Sequence, residues 1–194
     1  MDILITHPLH KHLSKEIDLS KEEFDIILEY FTPLSFKKKS LVITSNQYVS
    51  DQYFVLKGCL RTYLLDTSAK EHTLQFAIEN WWSSDYISYY TGVKSILNVE
   101  CIEDTDLLKV KKEDLEQLLL RIPKLEHFFR KQLESAFVSF QKRILSNLNN
   151  TAEERYTTFL TRYPNIEQRV KNYQIASYLG ITPESLSRIR KQVK

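Results

Sequence analysis

Three glycines among 194 residues cannot build a glycine-rich phosphate loop, which excludes the commonest nucleotide-hydrolysing motifs. The two cysteines, Cys59 and Cys101, are too few for an iron–sulfur cluster or a zinc site. Each stands in a strand-like apolar context and reads as a buried free thiol. Histidine is scarce as well: of five, only His72 falls within the strand-rich region, so no ligand set for a metal-dependent barrel enzyme converges there. His7, His10 and His12 cluster near the start and read as a frayed segment rather than a metal site. No apolar run approaches the ~20 residues that cross a bilayer. The opening MDILITHPLHKHLSKEID lacks the basic flank and apolar core of a secretory leader, so cytoplasmic residence is the expectation. No Ser/His/Asp or Cys/His signature is present. Catalytic residues, a metal and a cofactor are therefore not expected, nor is an enzyme.

What the chain does contain is unevenly distributed. Net charge is +2, but residues 150–194 hold eight Lys/Arg against four Glu, an excess of +4. The remainder holds nineteen basic and twenty-one acidic residues, or −2. A positive carboxyl-terminal end suits a polyanionic partner.

That end carries the most specific pattern, NYQIASYLGITPESLSRIRK over 172–191. Ile175, Leu179, Ile181, Leu186 and Ile189 are spaced so that two short helices bury one apolar face, with Ala176 small where they cross. Gly180 stands at the turn, where a residue without Cβ adopts positive φ at least cost. Thr182 followed by Pro183 predicts a helix start, a hydroxyl cap before a proline in the first turn. The second helix then presents Glu184, Ser185, Ser187, Arg188, Arg190 and Lys191 outward. This is a helix-turn-helix whose second rod fits a major groove. Glu184 and Arg188, with Ser185, are the candidate base readers; Thr182, Arg190 and Lys191 are the candidate phosphate contacts.

Upstream, periodicity divides the chain. SKEEFDIILEYF over 20–31 is an amphipathic helix with Ser20 and Glu23 at capping-box spacing. Short strands are expected in LSFKKKSLVIT, QYFVLKG, CLRTYLLD, HTLQFAIE, SILNVECI and TDLLKVK, a recurrence that points to a barrel, roll or sandwich. Lys37, Lys38 and Lys39 are read as alternating along a solvated strand edge. Glu113 and Asp114 mark a helix start, and Pro123 breaks or restarts that helix. Leu125, Phe129, Leu133, Ala136, Phe140, Ile144 and Leu148, widened by Phe128 and Phe137, then form a continuous seam. Such a helix can rest on the strand domain with one side and on a twin helix with the other. Asn147 to Thr151 is a polar hinge.

This order, with VITSNQYVSDQYFVLKGCLRTYLLD and YQIASYLGITPESLSRIRK as its carriers, resembles the cyclic-AMP receptor protein/Fnr (Crp/Fnr) family of bacterial transcription regulators. Tyr53, Val55, Gly58 and Leu60 match the family's strand–glycine–strand signature; Gly180, Glu184 and Arg188 match its turn glycine and two of its base-contacting positions. Pro183 stands where relatives often carry arginine, which removes one base contact. The resemblance implies an α+β chain: a cyclic-nucleotide-binding-like β-roll over 1–122, a long dimerisation helix and hinge over 123–149, and a helix-turn-helix domain over 150–194 with a truncated or absent wing. It also implies a homodimer, double-stranded DNA and RNA polymerase as partners, and no membrane. Effector binding would shift how the long helices present the DNA heads.

At the sensor, cyclic-AMP-binding members hold ribose and phosphate with Gly-Glu and Arg-Ser pairs. Here Ser84-Asp85 and Lys94-Ser95 stand nearest those positions, with Trp82 beside them. Serine's Cβ crowds the phosphate approach, Asp is a methylene short, and Lys lacks the bidentate fork, so cyclic AMP is not the expected effector. Trp81, Trp82, Tyr86, Tyr89 and Tyr90 line a different small-molecule site or simply pack as core and lid. Two functions remain open at this point. One is a sequence-specific DNA-binding transcription regulator with an altered sensor pocket; the other is a small-molecule sensor acting through protein contacts, its terminal helices serving only as a bundle.

Overall fold

The computed structural model describes residues 7–193. Residues 1–6, on which part of the reading of the amino terminus rests, and Lys194, one of the terminal cations, lie outside the described residues. Helix α1 (Pro8–Leu13) opens the described chain and corrects the expectation of a frayed start. His7 caps it, its Nδ1 accepting from the Leu9 amide at 3.2 Å, and Leu9 and Leu13, one turn apart, are buried. His12 packs its ring 5.2 Å from Phe54 and 5.3 Å from Phe128. Burial, and then the charge of Lys15, pushes the His12 pKa down to about 4, which keeps the ring neutral in this apolar setting. Helix α2 (Lys21–Glu29) has the capping box that its sequence predicts: Glu23 N–H donates to Ser20 Oγ at 3.2 Å and Ser20 N–H to Glu23 Oε2 at 2.8 Å.

Eight strands follow, β1 (Thr32–Phe36), β2 (Leu41–Ile43), β3 (Asp51–Lys57), β4 (Leu60–Leu65), β5 (Glu71–Ala77), β6 (Trp82–Ser83), β7 (Leu97–Cys101) and β8 (Thr105–Lys111). They form two four-stranded sheets, ordered β1-β8-β3-β6 and β2-β7-β4-β5, with every pairing antiparallel. The stretch read as a single strand over 34–44 is two strands in different sheets, because Lys39 turns the chain at φ 72°. The three lysines therefore sit on a turn and not along a strand edge, and Lys37 pairs with Asp104 at 2.8 Å. Between the sheets lie Val55, Leu60, Val99, Cys101 and Leu107, all fully shielded. Cys59 and Cys101 are the buried free thiols that the sequence suggests, and burial raises them to about 12 and about 11, so both stay protonated. A short helix, α3 (Tyr86–Thr91), interrupts the aromatic stretch.

The β3–β4 turn depends on Gly58. Its φ is +103°, and a Cβ there would come within 2.5 Å of Thr105 Oγ1 and 2.8 Å of Thr105 Cα. Both the backbone angle and the space exclude a side chain.

Helix α4 (Lys112–Arg121) ends just before Pro123, which becomes the first-turn boundary of α5 (Lys124–Asn149), the break expected of that proline. The first turns of α5 bury Leu125 and Phe128 against α1 and α2. Beyond them the apolar seam of the helix is uncovered: Leu133, Phe137, Phe140, Ile144 and Leu148 are exposed, the last two at 60% and 75%.

After Asn150 come α6 (Ala152–Arg162), α7 (Ile166–Arg169), α8 (Asn172–Leu179) and α9 (Pro183–Val193). This head does not stand off from the roll. Phe76 of β5 packs edge-on to Phe159 and Tyr163, and Cys59 and Ile102 join the same buried cluster as Ile175 and Leu186. Polar contacts fix the orientation. Ser177 Oγ donates to Glu71 O at 2.7 Å and accepts from Thr73 N–H at 2.9 Å, so α8 bonds to the backbone of β5. Arg169 forks onto Glu79 at 2.8 and 2.9 Å and reaches Glu103 from its Nε at 3.0 Å.

Burial by itself would raise the Glu79 pKa, but hydrogen bonds from Arg169 and from Gly58 N–H outweigh it and hold the carboxyl below its usual range. A carboxyl lowered in this way stabilises docking above its unfolded pKa, and that contribution disappears as pH falls through the folded value. Acidification from about pH 5 to 3 should therefore loosen the head, read as faster hydrogen exchange of the Thr73 amide. Arg169→Ala should do the same at neutral pH and cost about 1–2 kcal/mol in urea unfolding, since it leaves two facing carboxylates without their partner; unchanged Thr73 protection would refute the docking role. Gly58→Ala should lose about 2–4 kcal/mol in the same unfolding experiment, and a loss under about 0.5 kcal/mol would show that the turn relaxes freely.

Candidate nucleic-acid interface

The helix-turn-helix forms for the reasons its sequence suggests. Gly180 closes α8 in the left-handed region at φ 67°, and Ile181 N–H donates back to Ala176 O at 3.0 Å. Thr182 then caps α9, its Oγ1 accepting from Ser185 N–H at 3.2 Å. Ile175, Ala176, Leu179, Leu186 and Ile189 are buried together, and Tyr156 and Phe159 of α6 complete the core beneath them. Ile181 is only partly covered at the rim.

The burial of Leu186 and Ile189 points the rest of α9 outward. Pro183, Glu184, Ser187, Arg188 and Lys191 are exposed along that face, with Ser185 half-buried at its edge. Arg188 Nη2 donates to Ser185 Oγ at 3.3 Å, which holds the guanidinium along the helix. Among the described residues, neither Arg188 nor Lys191 forms an ion pair, so both charges are available to an external anion. The cap role of Thr182 leaves its hydroxyl engaged by Ser185.

Arg190 differs from its neighbours. Its Nε donates to the Tyr156 hydroxyl at 3.2 Å, its Nη1 to Asn172, and its guanidinium pairs with Glu167. It bolts α9 to α6, α7 and α8 and faces away from the outer surface. Its i+4 spacing from Leu186 puts it on the packed face, a signal present in the sequence but masked by its charge.

The five sensor candidates do not converge on an open pocket. Asp85 is buried, caps α3 by accepting from Ile87 N–H at 3.0 Å, and accepts from Ser95 Oγ at 2.6 Å. Ser95 Oγ also bonds to the backbone of Leu97, at the start of β7, at 3.0 Å. Ser84 Oγ donates to Asp51 O at 2.7 Å. Lys94 is exposed, its ammonium 5.8 Å from the Tyr48 ring. Trp82 packs between Phe54 and Phe129, with centroids 5.2 and 5.3 Å away, in the core that holds α1 and α2. Of the Gly-Glu and Arg-Ser places, Asp85 and Ser95 thus satisfy one another, Ser84 is tied to the backbone of β3, and Lys94 is left exposed. Among the described residues, no group of three or more His, Cys, Asp or Glu could hold a metal ion. No helix there is long and apolar enough to cross a membrane.

No family model matches the chain. Among curated proteins it is similar to the regulatory protein HlyX of Actinobacillus pleuropneumoniae, 23% identical over 180 residues that cover 86% of this chain and 72% of the relative. It is also similar to the transcriptional activator protein Anr of Pseudomonas protegens, 24% identical over 196 residues, 94% of this chain and 77% of that one. Among solved structures, FixK2 from Bradyrhizobium japonicum superposes with a TM-score of 0.73 at 22% identity, covering 84% of each chain. A regulator from Eubacterium rectale described as of the Crp/Fnr family follows the same path, with a TM-score of 0.66 at 21% identity over 90% of this chain and 83% of the other. Two antiparallel sheets, a long helix and a terminal helix-turn-helix follow in that order, so the chain has the fold of these Crp/Fnr-type regulators and is similar in sequence to the regulators named above.

Proposed function

We propose that this chain is a sequence-specific DNA-binding transcription regulator that works as a cytoplasmic homodimer, without a catalytic step. The observation that carries the reading is the outward face of α9. Among the described residues Arg188 and Lys191 stand there without ion-pair partners, flanked by Glu184 and Ser185, on a helix whose other side is locked into the head. An α-helix with that face exposed fits the major groove, where Arg188 and Glu184 reach base edges while Thr182 and Lys191 lie nearest the phosphates. Arg190 supports them by fixing the tilt of α9. The relatives are named as regulators, and none of them favours the alternative of a sensor that acts through protein contacts alone.

The uncovered seam of α5 supports the dimer. Leu133, Phe137, Phe140, Ile144 and Leu148 recur at helical spacing over about 22 Å of helix, and a second α5 packed against it would remove this surface from water. A two-fold pair of heads would address two half-sites of a pseudo-palindrome. Cyclic AMP is not proposed as the effector, because Asp85 and Ser95 already satisfy one another. Contact with RNA polymerase is an expectation of the family, and no surface is assigned to it.

In gel-shift titrations on the chain's own operator, Arg188→Ala should lose about 1–3 kcal/mol at one base position of each half-site while barely affecting random duplex. Lys191→Ala should weaken both duplexes alike and flatten the salt dependence. Equal loss on specific and random DNA for Arg188→Ala would overturn the assignment. Light scattering should give a dimer for the wild type and a monomer for Ile144→Glu; a monomeric wild type at micromolar concentration would rule out the α5 interface.

A further inference from the structure

A cleft of about 530 Å³ opens where the roll, the end of α5 and the helix-turn-helix meet. Its size is that of a small-molecule site. Leu64, Leu74, Ile87 and Leu97 supply an apolar floor from the roll, while Ser177 and Gly180 close it from the head. Two guanidinium groups face it, Arg143 from α5 and Arg155 from α6.

The charge balance of this cleft is unusual. None of its lining residues is Asp or Glu, and among the described residues neither arginine forms an ion pair. Arg143 donates only to the backbone carbonyls of Thr73 and Leu74 and lies 4.3 Å from the Tyr178 ring centroid. Arg155 donates through Nη1 to Asn150 O at 2.8 Å, and its Nε is buried without any partner. A half-buried guanidinium served only by neutral acceptors retains an uncompensated charge, and an orphaned N–H adds its own desolvation cost. An anion in the cleft would offset that charge.

We infer that this cleft binds an anionic amphiphile, a carboxylate or phosphate head held by Arg143 and Arg155 with an apolar body laid over Leu64, Leu74 and Leu97. The position differs from the closed Ser84-Asp85 and Lys94-Ser95 places, and the inference rests on the fold alone, not on DNA recognition. Because Ser177 and Gly180 belong to the helix-turn-helix, an occupant touches both the roll and the DNA head. It therefore favours the docked arrangement over one with the head released.

The test is calorimetric titration of the full chain, without DNA, with decanoate, decyl phosphate and, as a neutral body of the same length, decanol. Saturable binding of decanoate or decyl phosphate at one per chain is expected, at least about tenfold tighter than decanol. Whichever of the two binds more tightly identifies the headgroup. Arg155→Gln should weaken the anion at least tenfold and leave decanol unchanged, and Arg155→Lys should restore part of the loss. Arg143→Gln provides a second reading should the Arg155 variant fail to fold, as judged by circular dichroism. Equal affinity for decanol and the anions, indifference to both arginine substitutions, or no saturable binding of either anion below its micelle concentration would overturn the proposal. DNA retention by the same protein sample reports separately on the regulator reading.

Discussion

The guanidinium of Arg61, wholly shielded from water, is the contact around which the two halves of the molecule are organised. Its Nη1 donates to Glu71 at 2.6 Å and Glu100 at 3.0 Å, and its Nε to Thr73 Oγ1 at 2.9 Å, which joins β4, β5 and β7 across one sheet. Glu100 also accepts from Gln174 Nε2 of α8 at 3.1 Å, so the same charge reaches the DNA head. Tyr63 and Tyr173 flank the cation at 4.6 and 5.9 Å. A buried guanidinium is tolerated when carboxylates and hydroxyls surround it; its direct partners all lie in the sheet, and the head meets this charge through the Gln174–Glu100 bond and the Tyr173 ring. That bond gives the interface a direction that apolar packing around Phe76 alone would leave looser.

Rigid docking bears on how a signal would travel. The head shares its core with the roll, through Phe76, Cys59 and Ile102, and is fastened by Ser177 and Arg169 on either side. Any state with the head turned elsewhere must expose those aromatics and leave Glu79 and Glu103 without Arg169. An effector can shift such a balance only by favouring one arrangement over the other. The cleft bounded by Arg143 and Arg155 touches both parts, whereas the closed Asp85–Ser95 pair touches only the roll.

The two ends of α5 have unlike surroundings. Leu125 and Phe128 are buried in the core that holds α1 and α2, while Leu133, Phe137, Phe140, Ile144 and Leu148 of the same stripe stay exposed. An isolated apolar surface of this length is costly in water. The proposed twin helix accounts for it without changing the fold of the single chain.

Periodicity, caps and turn residues are local properties, and at this level the sequence was legible. The Ser20–Glu23 box, the break at Pro123, the seam along α5 and the Gly180 turn could all be read from spacing and residue type, because each depends on neighbours within about four positions. The α1 helix, the two strands hidden in 34–44 and α3 were missed; short elements carry little periodicity and are stabilised by the core they join. The outward placement of Arg188 and Lys191 followed from the helical phase of Leu186 and Ile189. Tertiary structure decided what no local pattern encodes: that Arg190 turns inward to Tyr156 and Asn172, that Asp85 and Ser95 close on each other across ten residues, and that two arginines from α5 and α6 meet over a floor of the roll's leucines. Each is a meeting of side chains distant along the chain or across helices, where the partner a charge finds depends on the packing of whole elements.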